Sequence, residues 1–407
     1  MKLFLTLAWR NIWRNKRRTL ISMSSVLFAV MLAITFYSME KGTYNRMIES
    51  MVTYSTGYLQ VQDVLFEEEP SMDNAMLFDE SVKSVLDDLS HQIELYVPRI
   101  QNFALVATDD QTRGIMVLGI DPFKESRLNN LTDDVVAGDF LDPDDADIVV
   151  AKGLAGILGV GVGDTITLLG QGFQGTTAAG MYAIKGLIDL RLPEMNNNTI
   201  YMSLPAAQWF YMAEDRLTSL LIMPYNPRHS RAIVNELNQR LDPEWYRAIH
   251  WEEMLEDLLR LMKFDIAGTM VMMMILYIVV AFGIYGTIMT MMIERQREFA
   301  MLISLGMKRG QLAVICFFES LFISVSGAVV GILVAIPVVV YFKLFPVTFT
   351  GEMAETFVDM GFEPVLPFSA DPWVFVSQAL VVLAIAFVIG LYPIRKAYTL
   401  DIMKVKK

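Results

Sequence analysis

The side chains best suited to chemistry in this sequence are four charged residues that lie between two long apolar runs. They are Glu294, Arg295, Arg297 and Glu298. Acids and bases interleaved at this spacing can form ion pairs along a helix. Apolar residues then recur every three or four positions, which predicts an amphipathic helix over 294–311 with Gly306 placed to end it. Its apolar stripe consists of Phe299, Leu302, Ile303 and Leu305.

Two interpretations of this stripe stay open. It either lies in the lipid interface of the membrane or enters a groove on a partner protein, with Arg295 and Arg297 facing acids at the rim of that groove. A loop that only reverses the chain between two apolar runs needs no amphipathic helix. The partner interpretation therefore makes 294–311 the main candidate site of the chain.

No catalytic or metal-binding motif accompanies these charges. The three histidines are scattered along the chain, and the motifs of zinc proteases, serine hydrolases and dithiol enzymes are absent from the sequence. Gly170–Thr177 has the glycine spacing of a phosphate-binding loop but carries Thr176 where that loop needs lysine. The acids between Asp139 and Asp147 lack the ligand order of a calcium-binding EF-hand, which favours an acidic turn. The sequence thus predicts a non-catalytic chain that holds no metal or cofactor of its own.

The composition is that of a membrane protein. Of 407 residues, 54% are hydrophobic, and the mean hydropathy of +0.41 is too high for an ordinary soluble chain. Four apolar runs are long enough to cross a bilayer, which takes about 20 residues in a helix. They cover 20–39, 266–293, 312–342 and 372–392. No small-residue cleavage site follows the first run, so we expect it to remain as an anchor.

The third predicted span contains a carboxylate and two spaced glycines. Glu319 lies about two turns inside the span, where a charge is costly unless it has a partner or faces water. A structural ion pair and a direct role in transport both remain open for it. Gly327 and Gly331 make one helix face small enough for close packing against another helix. Gly283 and Gly286 suggest similar packing in the second span.

The basic residues predict the orientation of the chain. They are concentrated in 1–19, 294–311 and 393–407, which the positive-inside rule places in the cytoplasm. Segment 40–265 holds 17 basic against 36 acidic residues, and 343–371 holds one against five, so both are expected outside. We expect 1–19 to be an interfacial helix on membrane lipid, 343–371 a periplasmic loop and 393–407 a cytoplasmic tail. An acidic outer domain argues against nucleic acid as a partner.

Segment 40–265 predicts stalk helices around an α+β core. Apolar residues recur with coiled-coil spacing in 44–54 and in 251–262, on either side of the core. These segments form either paired stalks continuous with the first two spans or ordinary helices of the core. Within the core, Gly170–Gly180 divides two predicted strands as a projecting hairpin arm. The expected fold is a membrane protein with four transmembrane helices and a large α+β extracytoplasmic domain inserted between helices 1 and 2.

Several motifs together resemble a known family of permeases. The resemblance rests on IERQREFAMLISLGMKRGQL at 293–312, on the acid and glycines of the third span, on the start AWRNIWRNKRRTLIS and on the ending YPIRKAYTLDIMKV. These are similar to motifs of the permease subunits of ABC transporters of the MacB/FtsX/LolC–LolE class. The stretch VVAGDFLDPDDADIVVAKGLAGILGVGVGDTITL is similar to the periplasmic core domain of that class. The resemblance covers nearly the whole chain, and the architecture is most similar to lipoprotein-releasing LolC/LolE permeases.

This resemblance implies a mechanotransmission machine. A cytoplasmic ABC ATPase dimer would dock on 294–311 and supply the ATP and Mg²⁺ chemistry in trans, and a second permease copy or a paralogue would complete the membrane part. In the LolC/LolE type a lipoprotein passes to a periplasmic carrier, and the hairpin arm occupies the place that engages this carrier. The residues concerned are Gly170, Gly172, Phe173 and Gly175.

Two other functions within this class remain open. The chain resembles both FtsX-like regulators of cell-wall hydrolases and MacB-like exporters that work with an adaptor protein. All of these imply a multi-pass protein of the bacterial inner membrane, with both termini in the cytoplasm.

Overall fold

The computed structural model describes residues 2–14, 16–108, 111–359 and 364–398. The chain forms two compact units. The membrane unit comprises Met1–Arg46, Arg260–Thr348 and Val365–Lys407, and the sheet unit comprises Met47–Leu259 and Phe349–Pro364. The predicted tail from residue 399 onward and positions 360–363 of the predicted periplasmic loop lie outside the described residues.

Long helices form the membrane unit, and short helices and strands form most of the sheet unit. The helices are α1 (Lys2–Arg14), α2 (Lys16–Met51), α3 (Glu80–Asp88), α4 (Pro122–Asn129), α5 (Lys152–Leu158), α6 (Pro193–Asn198), α7 (Leu204–Phe210), α8 (Ser230–Arg240), α9 (Trp251–Met254), α10 (Glu256–Glu294), α11 (Gln296–Ser304), α12 (Arg309–Leu344), α13 (Glu352–Asp359) and α14 (Pro372–Tyr398). The strands are β1 (Leu59–Asp63), β2 (Met76–Leu77), β3 (Ile93–Ala107), β4 (Thr112–Ile120), β5 (Val135–Gly138), β6 (Ile148–Ala151), β7 (Thr165–Gln171), β8 (Thr177–Ile188), β9 (Thr199–Ser203), β10 (Arg216–Leu217), β11 (Ser219–Pro224), β12 (Tyr246–His250), β13 (Val347–Thr348) and β14 (Val365–Leu366).

Four of the described helices are long and apolar enough to cross a membrane. They are α2, α10, α12 and α14. With the α+β sheet unit between the first two, they confirm the predicted fold class. All four extend beyond the predicted spans, and α2 and α10 extend the furthest. α2 runs to Met51 and continues as a π-helix over Val52–Thr56, and α10 begins at Glu256.

The two predicted stalk segments are helical, and their apolar side chains differ in how far they are covered. Tyr54 is 5% exposed and belongs to the core of the sheet unit, where Met51 packs against it. Leu261 on the other predicted stalk is 67% exposed. In the membrane unit α2 and α10 are linked by a polar contact, in which the Tyr44 hydroxyl donates to Asp265 Oδ2 at 2.5 Å. The domain core thus covers part of the apolar stripe of 44–54, and coiled-coil pairing of the two segments stays a prediction.

Helices α2 and α12 approach closely where α12 carries its two spaced glycines. A Cβ built on Gly327 would lie 2.8 Å from Cβ of Val26, and one on Gly331 would meet α2 in the same way. Only glycine fits at such distances, as the spacing predicted. By contrast, a Cβ on Gly283 or Gly286 meets no described atom of another helix within 4 Å. The packing role expected for these two glycines is therefore wrong within a single chain.

The sheet unit is built on one ten-stranded mixed sheet. Its strand order is β12-β1-β11-β3-β4-β9-β6-β8-β5, and β7 pairs with both β3 and β8. The pairs β4–β9 and β6–β8 are parallel. β1 and β12 are neighbours, with Leu59 opposite His250. Because α2 precedes β1 and α10 follows β12, the chain enters and leaves the sheet at one edge.

Two hydrophobic clusters hold the sheet unit together. Every residue of β6 and β9 is buried, so these strands are continuous apolar runs covered on both faces. The larger cluster contains Ile100, Val117 and Ile200 from three neighbouring strands. The smaller cluster lies under α3 and α8, which contribute Leu86 and Leu237. Burial of this size explains how the unit folds with no disulfide.

The hairpin formed by β7 and β8 does not project as a free arm. Its tip turns through Phe173–Gly175, and the backbone N–H of Phe173 donates to the carbonyl of Tyr211 at 2.8 Å. The Arg216 guanidinium lies 4.1 Å from the centroid of the Phe173 ring. Gly172 is buried, and a Cβ there would lie 2.6 Å from the Tyr211 carbonyl oxygen. The hairpin was predicted correctly, but its projection was not, because the tip folds onto the residue that follows α7.

Candidate functional site

The short helix α11 is the best-defined candidate site of the membrane unit. Arg295 leaves the helical conformation, with φ −99° and ψ 6°, which separates α11 from α10. At the other end Gly306 adopts φ +101°, its N–H donates to the Ile303 carbonyl at 3.0 Å, and the Met307 N–H donates to the Leu302 carbonyl at 3.1 Å. This is a Schellman ending, which requires the left-handed conformation that glycine adopts without strain.

A chain of four charges links α11 to two neighbouring helices. Nη1 of Arg295 donates to both carboxylate oxygens of Glu319 on α12, at 2.6 and 2.7 Å. Nε of Arg295 donates to Glu298 at 3.2 Å, and Glu298 also accepts from Arg14, the last residue of α1, at 2.5 Å. Arg295 is 9% exposed and Glu319 is 3% exposed. The buried carboxylate of the third span therefore has its partner on the turn between α10 and α11.

Glu298 is held in its charged form by this network. Its partial burial raises the pKa, but the hydrogen bonds and charges of Arg295 and Arg14 outweigh that effect and keep the pKa of Glu298 below its usual range. The acid thus joins two cations that would otherwise repel each other. Because the cations come from different segments, the network ties α1, α11 and α12 into one arrangement.

The predicted apolar stripe of α11 packs on the protein itself. Phe299 is 1% exposed and contacts a cluster formed by α10 and α12, in which Leu302 and Ile303 are half-buried. The other members of the cluster are Met292, Leu312, Ala313, Cys316, Met307 and Ile394. The prediction that Phe299 enters a groove on a partner is therefore wrong, since its ring has no accessible surface. Arg295 is likewise turned inward, to Glu319, and does not face a rim.

A second stripe of α11 is exposed. Arg297, Met301 and Leu305 are spaced four residues apart and so lie on one face of the helix. Met301 is 62% exposed and Leu305 is 79% exposed. We call these three residues the exposed stripe. Sequence periodicity identified the helix, but it placed Phe299 and Arg295 on the face that meets a partner. In the structure both side chains are buried within the membrane unit.

Helix α1 packs on α12 rather than resting on lipid alone. The rings of Trp9 and Phe322 meet edge-on with centroids 5.7 Å apart, and Ile12 is buried against Ile323. The Thr19 hydroxyl donates to the Ile12 carbonyl at 2.6 Å, which fixes the start of α2 against α1. The role of Arg14 was missed in the sequence, because no spacing along the chain connects it with Glu298.

Comparison with known proteins places this arrangement in a family. The family model described as "MacB-like periplasmic core domain" matches residues 19–240, more than half of the chain. The chain belongs to this family. A second model, described as "FtsX-like permease C-terminal", matches residues 270–402, which include α11 and α12.

Similar proteins agree with this assignment. The "Lipoprotein-releasing system transmembrane protein LolC" of Neisseria meningitidis serogroup B is 23% identical over 399 residues, which cover 93% of this chain and 91% of that protein. The protein of the same name in Xylella fastidiosa is 22% identical over 243 residues, 58% of each chain. Among solved structures, the periplasmic region of MacB from Actinobacillus actinomycetemcomitans has a TM-score of 0.35 and 10% identity, covering 51% of this chain and 95% of that one.

These findings establish the class of the protein. It is a multi-pass membrane protein and an ABC transporter permease of the MacB/FtsX/LolC class. Permease subunits of this family are generally non-catalytic, and membership implies an ABC ATPase as a partner.

Proposed function

We propose that this permease couples ATP hydrolysis by a separate cytoplasmic ATPase dimer to movement of its sheet unit, and that it releases lipoproteins from the bacterial inner membrane to a periplasmic carrier. The observation that carries this proposal is the likeness to a lipoprotein-releasing LolC over 93% of this chain and 91% of that protein. A permease that shared only one module with LolC would match over a part of either chain. A second copy or a paralogue completes the membrane part, and both termini lie in the cytoplasm.

The exposed stripe is the surface on which the ATPase docks. Met301 and Leu305 present apolar side chains that the membrane unit leaves uncovered, and Arg297 adds a positive charge beside them. Apolar anchors carry most of the energy of a typical interface, while charges at its rim steer association. MgATP binds to the ATPase and not to this chain.

Movement of α11 is passed to the membrane helices through its buried side. Phe299 packs between α10 and α12, and Arg295 bonds to Glu319 within α12. Because both contacts are buried, α11 and the cytoplasmic end of α12 shift together when the ATPase moves. α2 follows α12 through the close contacts at Gly327 and Gly331.

Reconstitution tests the proposal directly. The permease complex, purified with its ATPase and placed in liposomes with a triacylated lipoprotein, should release that lipoprotein into the soluble fraction when ATP and a carrier are added. A complex with a hydrolysis-deficient ATPase is the matched control and should release none. Activation of a cell-wall hydrolase by the same liposomes would instead make the protein an FtsX-like regulator. Adaptor-dependent export of a small molecule would make it a MacB-like exporter.

A further inference from the structure

A buried ion pair lies in the centre of the sheet unit. Arg99 on β3 is 1% exposed and Glu125 on α4 is fully buried. Nε of Arg99 donates to Glu125 Oε2 at 2.9 Å, and Nη2 of Arg99 donates to the other carboxylate oxygen. Asn129 also donates to Glu125, at 2.8 Å. The guanidinium and carboxylate therefore meet as a two-bonded fork, a geometry that lysine cannot reproduce.

The remaining terminal nitrogen of Arg99 binds the end of the first long helix. Nη1 donates to the carbonyl oxygens of Tyr54 and Ser55, at 3.0 Å each. These carbonyls lie in the π-helix Val52–Thr56 that continues α2. The last carbonyls of a helix lack partners within it and carry the negative end of its dipole, so a cation is the matching group. Arg99 thus binds the helix end and the domain core at once.

The chain beyond this helix end has a natural bend. Gly57 adopts φ +65° and ψ 179°, and β1 begins two residues later. Gly57 has no Cβ to restrict rotation, so a movement of α2 would be absorbed there unless the helix end is held by contacts such as the packing of Tyr54 and the bonds of Arg99. β3 pairs with β11, β4 and β7, so a bond to Arg99 is a bond to the middle of the sheet.

Stability alone does not account for this arrangement. Burying an ion pair has a desolvation cost that often exceeds its attraction, and apolar residues of similar size stabilise a core at least as well. What an apolar pair cannot supply is a directional bond to two carbonyls. We propose that Arg99 is a positioning residue, which fixes the outer end of α2 to the sheet so that helix movement reaches the sheet unit. The role of Arg99 in transmitting movement rests on the proposed function. The fixation of the helix end to the sheet is a property of this chain alone.

Distance measurement between two spin labels tests the fixation without ATP or substrate. Labels at exposed Glu49 on α2 and exposed Asp87 on α3, in a Cys316→Ala background, should give one narrow distance distribution in the purified complex. Arg99→Gln should broaden it at least twofold, because the helix end loses its bonds. Arg99→Lys keeps the charge but not the two-bonded fork, so it should also broaden the distance distribution. This variant replaces Arg99→Gln in the test if Arg99→Gln does not fold. Leu154→Ala, a buried truncation on α5, is the control and should keep the width of the parent protein.

An unchanged width in a folded Arg99→Gln or Arg99→Lys protein overturns the proposal, as does equal broadening by Leu154→Ala. The transmission role has its own readout. Arg99→Gln complexes should hydrolyse ATP within about twofold of the parent rate and release lipoprotein at least tenfold more slowly. Unchanged release with a broadened distribution contradicts that role. Absence of lipoprotein release from the parent complex itself contradicts the proposed function and leaves the label result standing.

Discussion

Arg295 at the start of α11 and Glu319 inside α12 form a buried ion pair, with one guanidinium nitrogen 2.6 and 2.7 Å from the two carboxylate oxygens. The carboxylate lies in a segment that is long and apolar enough to cross a membrane. An isolated charge there is expensive, so the pair constrains where α11 sits on the end of α12. The helix that carries the proposed ATPase surface and a buried charge of α12 are thus joined through the Arg295 side chain.

Removing one partner of this pair should destabilise the protein strongly, whereas replacing both partners by apolar residues should not. We expect Glu319→Leu to lower the free energy of unfolding by about 3–5 kcal/mol, because it removes the two shorter bonds of the buried Arg295 and leaves it the 3.2 Å bond to Glu298. Glu319→Gln keeps an oxygen that accepts from Arg295 and should cost less. Thermal unfolding of the purified protein in detergent measures both. The double variant Arg295→Met with Glu319→Leu should recover most of the lost stability. Failure to recover it would show that the pair does more than neutralise two buried charges.

The close approach of α2 and α12 gives a second prediction. Gly327→Ala places a Cβ 2.8 Å from that of Val26, so we expect a loss of about 1–3 kcal/mol from overpacking. Gly286→Ala is the matched control, because open space surrounds that position in a single chain and alanine favours a helix over glycine by up to about 1 kcal/mol. Unfolding of the two variants in detergent compares them. A large loss of stability in Gly286→Ala alone would reveal that α10 packs on another chain.

The two faces of α11 should separate docking from folding. Leu305→Asp puts a charge on the exposed stripe and should abolish co-purification of the ATPase while leaving the unfolding temperature of the permease unchanged. Phe299→Ala removes a buried ring and should cost about 3–5 kcal/mol of stability. Affinity purification of the permease with its ATPase, together with unfolding of the permease alone, measures both. Full ATPase binding by Leu305→Asp would place the docking surface elsewhere.

The membrane architecture was predictable because the bilayer allows few solutions. Backbone groups must be paired within the lipid, so apolar runs of sufficient length become helices, and four such helices were found among the described residues.

Which face of α11 packs on the rest of the protein was not predictable in the same way. A 3.6-residue period shows that a helix has two sides, but whether Phe299 or Leu305 meets the protein depends on α10 and α12 in three dimensions. β3 escaped prediction because Pro98 and Arg99 interrupt its apolar alternation, and that interruption is the buried pair itself.

Acidification should loosen the edge of the sheet that leads into α10. His250 ends β12 and caps α9, with Nδ1 accepting from the Glu252 N–H at 3.4 Å and Nε2 2.8 Å from the Ser230 hydroxyl. Burial lowers the pKa of His250 below its usual 6.5, and the nearby Arg231 acts in the same direction, while Glu252 and Glu253 oppose it. A proton on Nδ1 would turn this acceptor into a donor, which would then face the Glu252 N–H, itself a donor.

The sign of the pH effect follows from these pKa values. Between the lowered pKa of the folded state and about 6.5, the unfolded chain binds a proton that the folded chain does not, so stability falls as pH falls through about 6.5. We expect the unfolding temperature to decline between pH 7 and pH 5.5, and His250→Gln, which cannot titrate, to flatten this decline. His91→Gln, at an exposed histidine of the same unit, should leave it unchanged. A decline that persists undiminished in His250→Gln would assign the pH dependence to other groups.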